Sequence, residues 1–413
     1  MADKYTAPNV TEDFVGRLID YAQARGVKCY LFVGYDYFAN QLPVVMGIPA
    51  NEPRNAKANK VYDDILKEIT ERYRNASGVV LCTIENKNVP PSIIHDIARR
   101  TKDGYNIVKA INPKMEVGLL PDYLEWQPNQ LDDLRVLKET NPEVFLAYSP
   151  HREPQQKSWQ RVHGDIWRYV NYSQYAWDHV AYIFPEQVRE EVTGSYLDGY
   201  RKIVTQAWYA DVFMLNYMAM AEYSWNPTGD EQRTFWDRAL VREFGDRAAP
   251  SMRTALEHTR FDLRQDVMAR MIVEDKIDRP FSFWDMYKLH RFNGLKDSML
   301  ADLEKDARAS LAAAQAALPL TPEAAREMVQ VVITSAERRL YLATSGRHLL
   351  KALKLRKSGQ AAAASREMEQ CLQEGEKMYK AATKLGIEFP LSVHDDEVLD
   401  KYREIARQMH VSQ

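Results

Sequence analysis

Four short apolar runs, each cut off abruptly by polar residues, alternate with amphipathic segments between Val27 and Tyr148. They are Val27–Val33, Val79–Ile84, Met115–Leu120 and Val144–Tyr148. Near-continuous apolar runs, rather than runs apolar at every second residue, are the mark of strands buried on both faces. Strands buried in that way need helices on both sides or a closed barrel, which restricts the chain to α/β architectures with parallel strands and right-handed crossovers.

The intervening segments fit that pattern. Thr11 is a candidate N-cap for a first helix, with Phe14, Leu18, Ile19 and Ala22 on its apolar face and Gly26 at its end. Val61, Ile65, Leu66, Ile69 and Tyr73 predict a helix over about 57–75. Helices are expected over 91–101, 104–111 and 129–140, the last two ending at Asn112–Pro113 and Asn141–Pro142, where proline disfavours helix at the residue before it. A helix over 158–175 is expected to lead into a strand at His179–Phe184. A weaker strand candidate, Ile203–Trp208, precedes an apolar helix over 209–225. This makes six strand candidates, whereas a (β/α)8 barrel needs eight. The expectation is an α/β chain with a TIM-type barrel, N-terminally incomplete or with two strands hidden in loops. An open doubly wound sheet is the alternative, disfavoured because no glycine-rich phosphate turn follows any strand.

From about Asp230 the character changes to Ala, Glu, Lys, Arg and Met. Helices are expected over 230–243, 247–276, 282–317, 322–357, 361–385 and 395–409, with no strand beyond about 250. The domain expectation is therefore a barrel-like domain over 1–245 and an all-helical bundle over 246–413. The basic cluster Lys351, Lys354, Arg356 and Lys357 reads as complement to a helix C-terminus rather than an anion site.

Charge and cysteine usage narrow the function. A net charge of -3 gives no reason to expect nucleic acid or an anionic membrane as partner. No apolar run is long enough to span a bilayer, and the N-terminus lacks a signal-peptide core, so the protein is expected to be cytoplasmic, or exported with its leader absent from this sequence. Three well-separated cysteines give neither a disulfide framework nor a zinc spacing, and neither metal nor cofactor is expected. The 23 tyrosines and 8 tryptophans suit either a large aromatic core or a cleft that packs sugar rings.

Polar groups gather just past the apolar runs: Tyr35 and Asp36, Glu85 and Asn86, Asp122 and Glu125, His151, Arg152 and Glu153, Glu186, and Asp211. Ligands of parallel sheets and barrels meet the carboxyl ends of the strands. A set dominated by carboxylates, without a GxSxG elbow, an HExxH motif or a P-loop, suits glycoside hydrolysis, which needs one protonated and one ionised carboxyl group. Glu85 as a cap or an ion-pair partner is the structural alternative.

The segment Leu215–Gly245, with its Trp225-Asn226-Pro227 and terminal Phe244-Gly245, resembles the helix after the last barrel strand in α-glucuronidases (glycoside hydrolase family 67) and in the O-GlcNAcase and hexosaminidase families. TIENKNVPP at Thr83–Pro91 is similar in place to the α-glucuronidase strand end that carries the general acid, and His151–Pro154 (HREP) resembles a later strand end whose glutamate activates water. The resemblance covers roughly residues 60–250. It implies Glu85 as general acid and Glu153 as base, with Asp122 as reserve partner. Substrate contacts are then expected from Asp36, Asn86, His151 and Arg152, and sugar platforms from Tyr148 and Trp208. The expected function is hydrolysis of a glycosidic bond in an acidic or N-acetylated sugar. Alternatives are an inactive carbohydrate-binding or scaffold protein and a helical interaction protein supported by the barrel part. An open sheet edge predicts a homo-oligomer.

Overall fold

A computed structural model describes residues 13–34, 56–83, 93–121, 130–148, 166–170, 185–205, 214–229, 232–258, 263–284, 289–384 and 395–411. The chain divides into two compact units: 1–170 with 195–204, and 171–194 with 205–413.

The first unit is built on a six-stranded sheet in sequence order: β1 (Tyr30–Gly34), β2 (Gly78–Cys82), β3 (Glu116–Leu120), β4 (Phe145–Tyr148), β5 (Ile166–Val170) and β6 (Ile203–Thr205). The first five strands pair in parallel. The four runs expected as neighbouring parallel strands are β1 to β4. α1 (Phe14–Gln23) precedes β1, and α2 (Ala56–Arg72), α3 (Ile93–Ile111) and α4 (Gln130–Thr140) lie between the strands in turn.

The two faces of the sheet bury different residues. Val33, Leu81, Leu119, Leu146 and Ile166 form a register row across β1 to β5, all buried against helix residues such as Leu66, Ile97, Val108 and Leu134. The other face carries Tyr30, Val80, Cys82, Leu120, Phe145, Ala147, Trp167 and Val204. In a flat sheet β1 and β5 would lie about 19 Å apart, at about 4.8 Å per strand. The rings of Tyr30 and Trp167 nevertheless meet edge to face at 5.1 Å, and Tyr30 meets Phe145 at 5.8 Å. The sheet is therefore curled, with this aromatic group across its concave side. Phe145 and Trp167 stack at 4.0 Å, and the Lys202 ammonium lies 4.8 Å from the Trp167 ring. Two glycines make the space. A Cβ on Gly78 would stand 2.5 Å from the Tyr30 ring, and one on Gly118 would stand 2.3 Å from the Phe145 ring.

The two Asn-Pro stops share a geometry. Asn112 O accepts from Met115 N at 3.1 Å, and Asn141 O accepts from Val144 N at 3.2 Å, each a tight turn from helix into strand. The side chains tie each turn to an earlier unit: Asn112 Nδ2 donates to Arg74 O, and Asn141 Nδ2 to Ala98 O, both at 2.9 Å. Buried Arg100 of α3 clamps Asp63 of α2 at 2.8 Å.

Several expectations are corrected here. The helix cap is Asp13, whose Oδ1 accepts from Gly16 N at 2.9 Å, not Thr11. In place of the two helices expected over 91–101 and 104–111 there is one, α3, running through buried Gly104, because packing on both sides outweighs the modest helix penalty of glycine. The helix expected over 158–175 is replaced in its centre by strand β5. Its residues Ile166, Trp167, Tyr169 and Val170 are β-branched or aromatic, and Trp167 stacks on Phe145. The strand expected at His179–Phe184 lies outside the described residues, as does the part from Gln206 to Trp208 of the strand expected over Ile203–Trp208. Helix α5 (Pro185–Leu197) had no counterpart in the sequence expectation.

In the second unit, α6 (Met214–Trp225), α7 (Gln232–Phe244), α8 (Ala249–Glu257), α9 (Leu263–Val273), α10 (Asp297–Ala317), α11 (Arg326–Lys357), α12 (Ala361–Lys384) and α13 (Asp395–Val411) lie close to the expected helices. Two departures matter. The helix expected over 247–276 is the pair α8 and α9. The expectation of no strand beyond 250 fails at β7 (Pro280–Trp284) and β8 (Leu289–Asn293), an antiparallel hairpin. Phe281 is buried and pairs with Phe292 across the strands, while Ser282 and Arg291 face solvent, a period of two rather than 3.6. Gly294, at φ +82, then turns the chain, and Leu295 N donates to Ile277 O at 2.8 Å before α10 begins. The Lys351–Arg356–Lys357 cluster is engaged locally: Lys351 with Glu367, Lys357 with Asp278 and Arg356 with Gln408 O.

The glycine seats lead to a test. Gly118→Ala is expected to lower stability by about 1–3 kcal/mol through overpacking against Phe145. The urea midpoint should fall, and Phe145→Leu in the same background should recover part of the loss. An unchanged midpoint for Gly118→Ala would contradict the packing described.

Candidate active site

The strand ends define the site. Gly34, Cys82 and Leu120 stand side by side in register, and Leu119 is paired with Leu146 of β4. All four strands therefore end at one rim. Thr83 fixes the β2 end to the β3 end, since its N and its Oγ1 both donate to Leu120 O, at 3.1 and 3.2 Å. Sequence reasoning passed over Thr83, although a buried hydroxyl one residue past a strand has few partners other than a neighbouring carbonyl.

Bulk and space are distributed unequally along the concave face. Tyr30 stands in the first row of the concave face and Phe145 in the next, opposite Gly118, while Trp167 is paired with Ala147 and shares the last row with Gly34, Cys82 and Leu120. That last row is thus small on β1 and β2 and carries the Trp167 ring on β5. At the amino-terminal end the Glu116 carboxylate accepts from Tyr30 OH at 2.8 Å and pairs with Lys28, joining β1 to β3. Burial pushes the Glu116 pKa up, but the hydrogen bonds from Lys28 and Tyr30 and the nearby ammoniums outweigh it, and the net shift is downward.

The sequence candidates follow these ends closely. Tyr35 alone separates Gly34 from Asp36, Pro121 alone separates Leu120 from Asp122, and Thr83 and Ile84 separate Cys82 from Glu85. Ser149 and Pro150 separate Tyr148, the last residue of β4, from His151, Arg152 and Glu153. Asp36, Glu85, Asn86, Asp122, His151, Arg152, Glu153 and Trp208 themselves lie outside the described residues, as do Tyr35, Glu125 and Asp211. Tyr148 ends β4 on the rim, and Glu186 falls in the first turn of α5.

One rim carboxyl was not singled out from the sequence. Asp133 lies in the first turn of α4, on the side where β3 ends, and is buried. Burial raises its pKa, Asp132 adds to the rise, and His95 in the first turn of α3 counters it. Its signal in the sequence was the Asp132–Asp133 pair directly before Leu134, which puts one of the two carboxyls on the apolar side of the helix. Among the described residues no group of three His, Cys, Asp or Glu side chains could hold a metal ion, and no helix is long and apolar enough to cross a membrane.

No protein-family model matches the chain, and no curated protein matches it. Solved structures do. A GH138 enzyme targeting pectin rhamnogalacturonan II is similar over 95% of this chain and 58% of its own, at a TM-score of 0.62 and 11% identity. An O-GlcNAc hydrolase mutant from Thermobaculum terrenum is similar over 97% of this chain and 82% of its own, at a TM-score of 0.51 and 12% identity. A GH89 enzyme from Clostridium perfringens, in complex with its substrate GlcNAc-α-1,4-galactose, is similar over 95% of this chain and 47% of its own, at a TM-score of 0.53 and 12% identity. The chain thus spans little more than half the length of the first of these, and about half of the third. At such identities the likeness is one of fold: part of an α/β barrel followed by a helical region.

Glu116 and Asp133 give opposite pH dependences. The Glu116 pKa is lowered in the fold, so its contribution to stability is present above the unfolded carboxylate pKa and is lost as pH falls through the folded one. Glu116→Gln should therefore destabilise near pH 7, with the difference from wild type vanishing in acid. The Asp133 pKa is raised, so its ionisation opposes folding at neutral pH. Asp133→Asn should stabilise near pH 7, and that gain should close as pH falls. Denaturation midpoints measured across pH check both signs.

Proposed function

We propose that the chain is a glycoside hydrolase acting through a carboxylate pair, with Glu85 as general acid, Glu153 as base and Asp122 as reserve partner. The observation that carries this reading is the common rim: parallel strands β1 to β4 end in register, and each end is followed within a few residues by a candidate carboxylate or by His151–Glu153. Adjacent strands lie about 4.8 Å apart, so β2 and β4 are separated by about 10 Å of backbone. Side chains leaning inward from two such ends suit the carboxyl separations of glycosidases, about 5–5.5 Å for retention and about 6.5–9.5 Å for inversion.

The fold likeness supports the same reaction class. Two of the three similar structures are named for GlcNAc chemistry, which favours an N-acetylated sugar as substrate. The acidic-sugar alternative rests on the α-glucuronidase-like strand ends Thr83–Pro91 and His151–Pro154. In this scheme Arg152 and His151 hold substrate oxygens with Asp36 and Asn86, and Tyr148 and Trp208 carry the sugar faces. The small residues Gly34 and Cys82 leave the β1 and β2 part of the last concave row to the ligand, and Trp167 of β5 stands in the same row. We assign catalysis to residues 1–245. No cofactor enters the scheme.

A second reading, a sugar-binding or scaffold protein without turnover, is favoured by one observation. The sheet has six strands among the described residues, and a closed barrel has eight.

Hydrolysis of a panel of aryl N-acetylhexosaminides and aryl uronides separates the two. Turnover by the wild type should fall about 10²–10⁴-fold in Glu85→Gln and in Glu153→Gln, with sugar binding retained. The double variant should lose less than the product of the two single losses, because the pair acts as a unit. Saturable sugar binding with no turnover on any substrate would establish the second reading. A Glu85→Gln variant as fast as wild type would remove the assignment of the acid.

A further inference from the structure

The run from Val79 to Ile84 is apolar apart from one hydroxyl. Thr83 is the one residue in it with a side-chain oxygen, and it is 3% exposed. Valine has the same branched shape and suits a strand as well, without the cost of burying a hydroxyl. Packing alone therefore does not call for threonine here. The hydroxyl makes a local bond. Thr83 N already extends the ladder of β2 and β3 by donating to Leu120 O at 3.1 Å, and Oγ1 donates to the same oxygen at 3.2 Å.

The carbonyl gripped twice belongs to the Leu120–Pro121 peptide. Proline has a fixed φ and holds the residue before it in extended backbone, so this peptide is stiff before the clamp forms. Leu120 is itself buried, in the concave cluster of Val80, Phe145 and Trp167. A single ladder bond leaves the end of β2 free to swing about that bond. A second donor from the same residue removes the freedom, and the restricted χ1 of a β-branched side chain holds the donor in place.

We propose that Thr83 is a positioning residue for the general acid. Glu85 lies two residues beyond Thr83, and Asp122 two residues beyond Leu120, so the clamp joins the roots of two candidate carboxylates. The inference rests on the glycosidase reading, in which Glu85 is the acid. Acid catalysis needs the carboxyl within hydrogen-bond reach of the leaving oxygen. Loosening the origin of the Glu85 segment therefore lowers the rate of the chemical step while the carboxyl and the substrate contacts remain.

Kinetics of Thr83 variants on aryl glycosides that differ in leaving-group basicity are the test, with the sugar that the wild type turns over. Thr83→Val keeps the backbone donor to Leu120 O, so no buried acceptor loses its partner and the urea midpoint should stay close to that of the wild type. Its kcat should fall about tenfold to a hundredfold on basic phenols, with KM little changed. The loss should be much smaller on dinitrophenyl glycosides, whose leaving group departs without a proton. Thr83→Ser restores the hydroxyl and should recover most of the rate. Thr83→Ala gives the same comparison without a methyl group in place of the hydroxyl. In the Glu85→Gln background Thr83→Val should cost nothing further, since the group it positions is gone. A Thr83→Val enzyme as fast as wild type would overturn the proposal and leave the acid assignment standing. So would a loss equal for all leaving groups, or one that persists in the Glu85→Gln background, since either makes the role of Thr83 purely structural. A wild type that hydrolyses nothing would remove the acid itself, and the positioning role with it.

Discussion

The architecture of the sheet unit depends on one packing arrangement: Tyr30, Phe145 and Trp167 meeting across the concave face over the glycines Gly78 and Gly118. Aromatic rings bury large areas, and edge-to-face and offset contacts add to that burial. Three rings from β1, β4 and β5 can meet only if the sheet curls, and two glycines on the strands between them, Gly78 and Gly118, make room for the rings. A Cβ at either glycine would occupy ring space. Large rings on β1, β4 and β5 over these glycine seats therefore curl a parallel sheet, which twists but need not close, into part of a barrel. The Glu116 carboxylate adds a polar tie below the rings, joining β1 to β3 through Tyr30 and Lys28.

The rings form a wall that reaches the rim, since Trp167 shares the last row with Gly34 and Cys82. Along that row the residues of β1 and β2 are small. Thr83 shows how the rim is stiffened. By donating twice to Leu120 O it holds the start of the Glu85 segment to the neighbouring strand end. A catalytic carboxylate gains from such a rigid origin, because acid–base assistance depends on placement within hydrogen-bond reach of the substrate.

The sequence made the order of strands and helices legible because burial on both faces leaves a near-continuous apolar run, and the runs at Val79–Ile84, Met115–Leu120 and Val144–Tyr148 were near-continuous, interrupted only by Thr83 and Glu116. The Asn-Pro stops were legible for a local reason, the exclusion of helix before proline. The misreadings have a common cause. Ile166–Val170 and Pro280–Asn293 mix aromatic and charged residues, so their period of two is hidden among neighbours that also satisfy a period near 3.6. What decides each case is a partner distant in sequence: Phe145 for Trp167, and Phe292 for Phe281. The aromatic group across the sheet was illegible for the same reason, since nothing in the runs says which inward residues will meet. Of the site, the rim itself was legible, while the burial of Asp133 was not. An acidic pair at a helix start reads as solvated until the packing around it is known.

Glycosidases stabilise a charged transition state with preorganised dipoles in a site from which water is largely excluded, and an open side weakens every such interaction by raising the local dielectric. The concave face here is lined from β2 to β5 by the rings and by the buried residues Val80, Leu120 and Ala147, while Phe32 of β1 is half exposed. The dry wall on which a carboxylate pair at the ends of β2 and β4 would depend is therefore the one that β2 to β5 build.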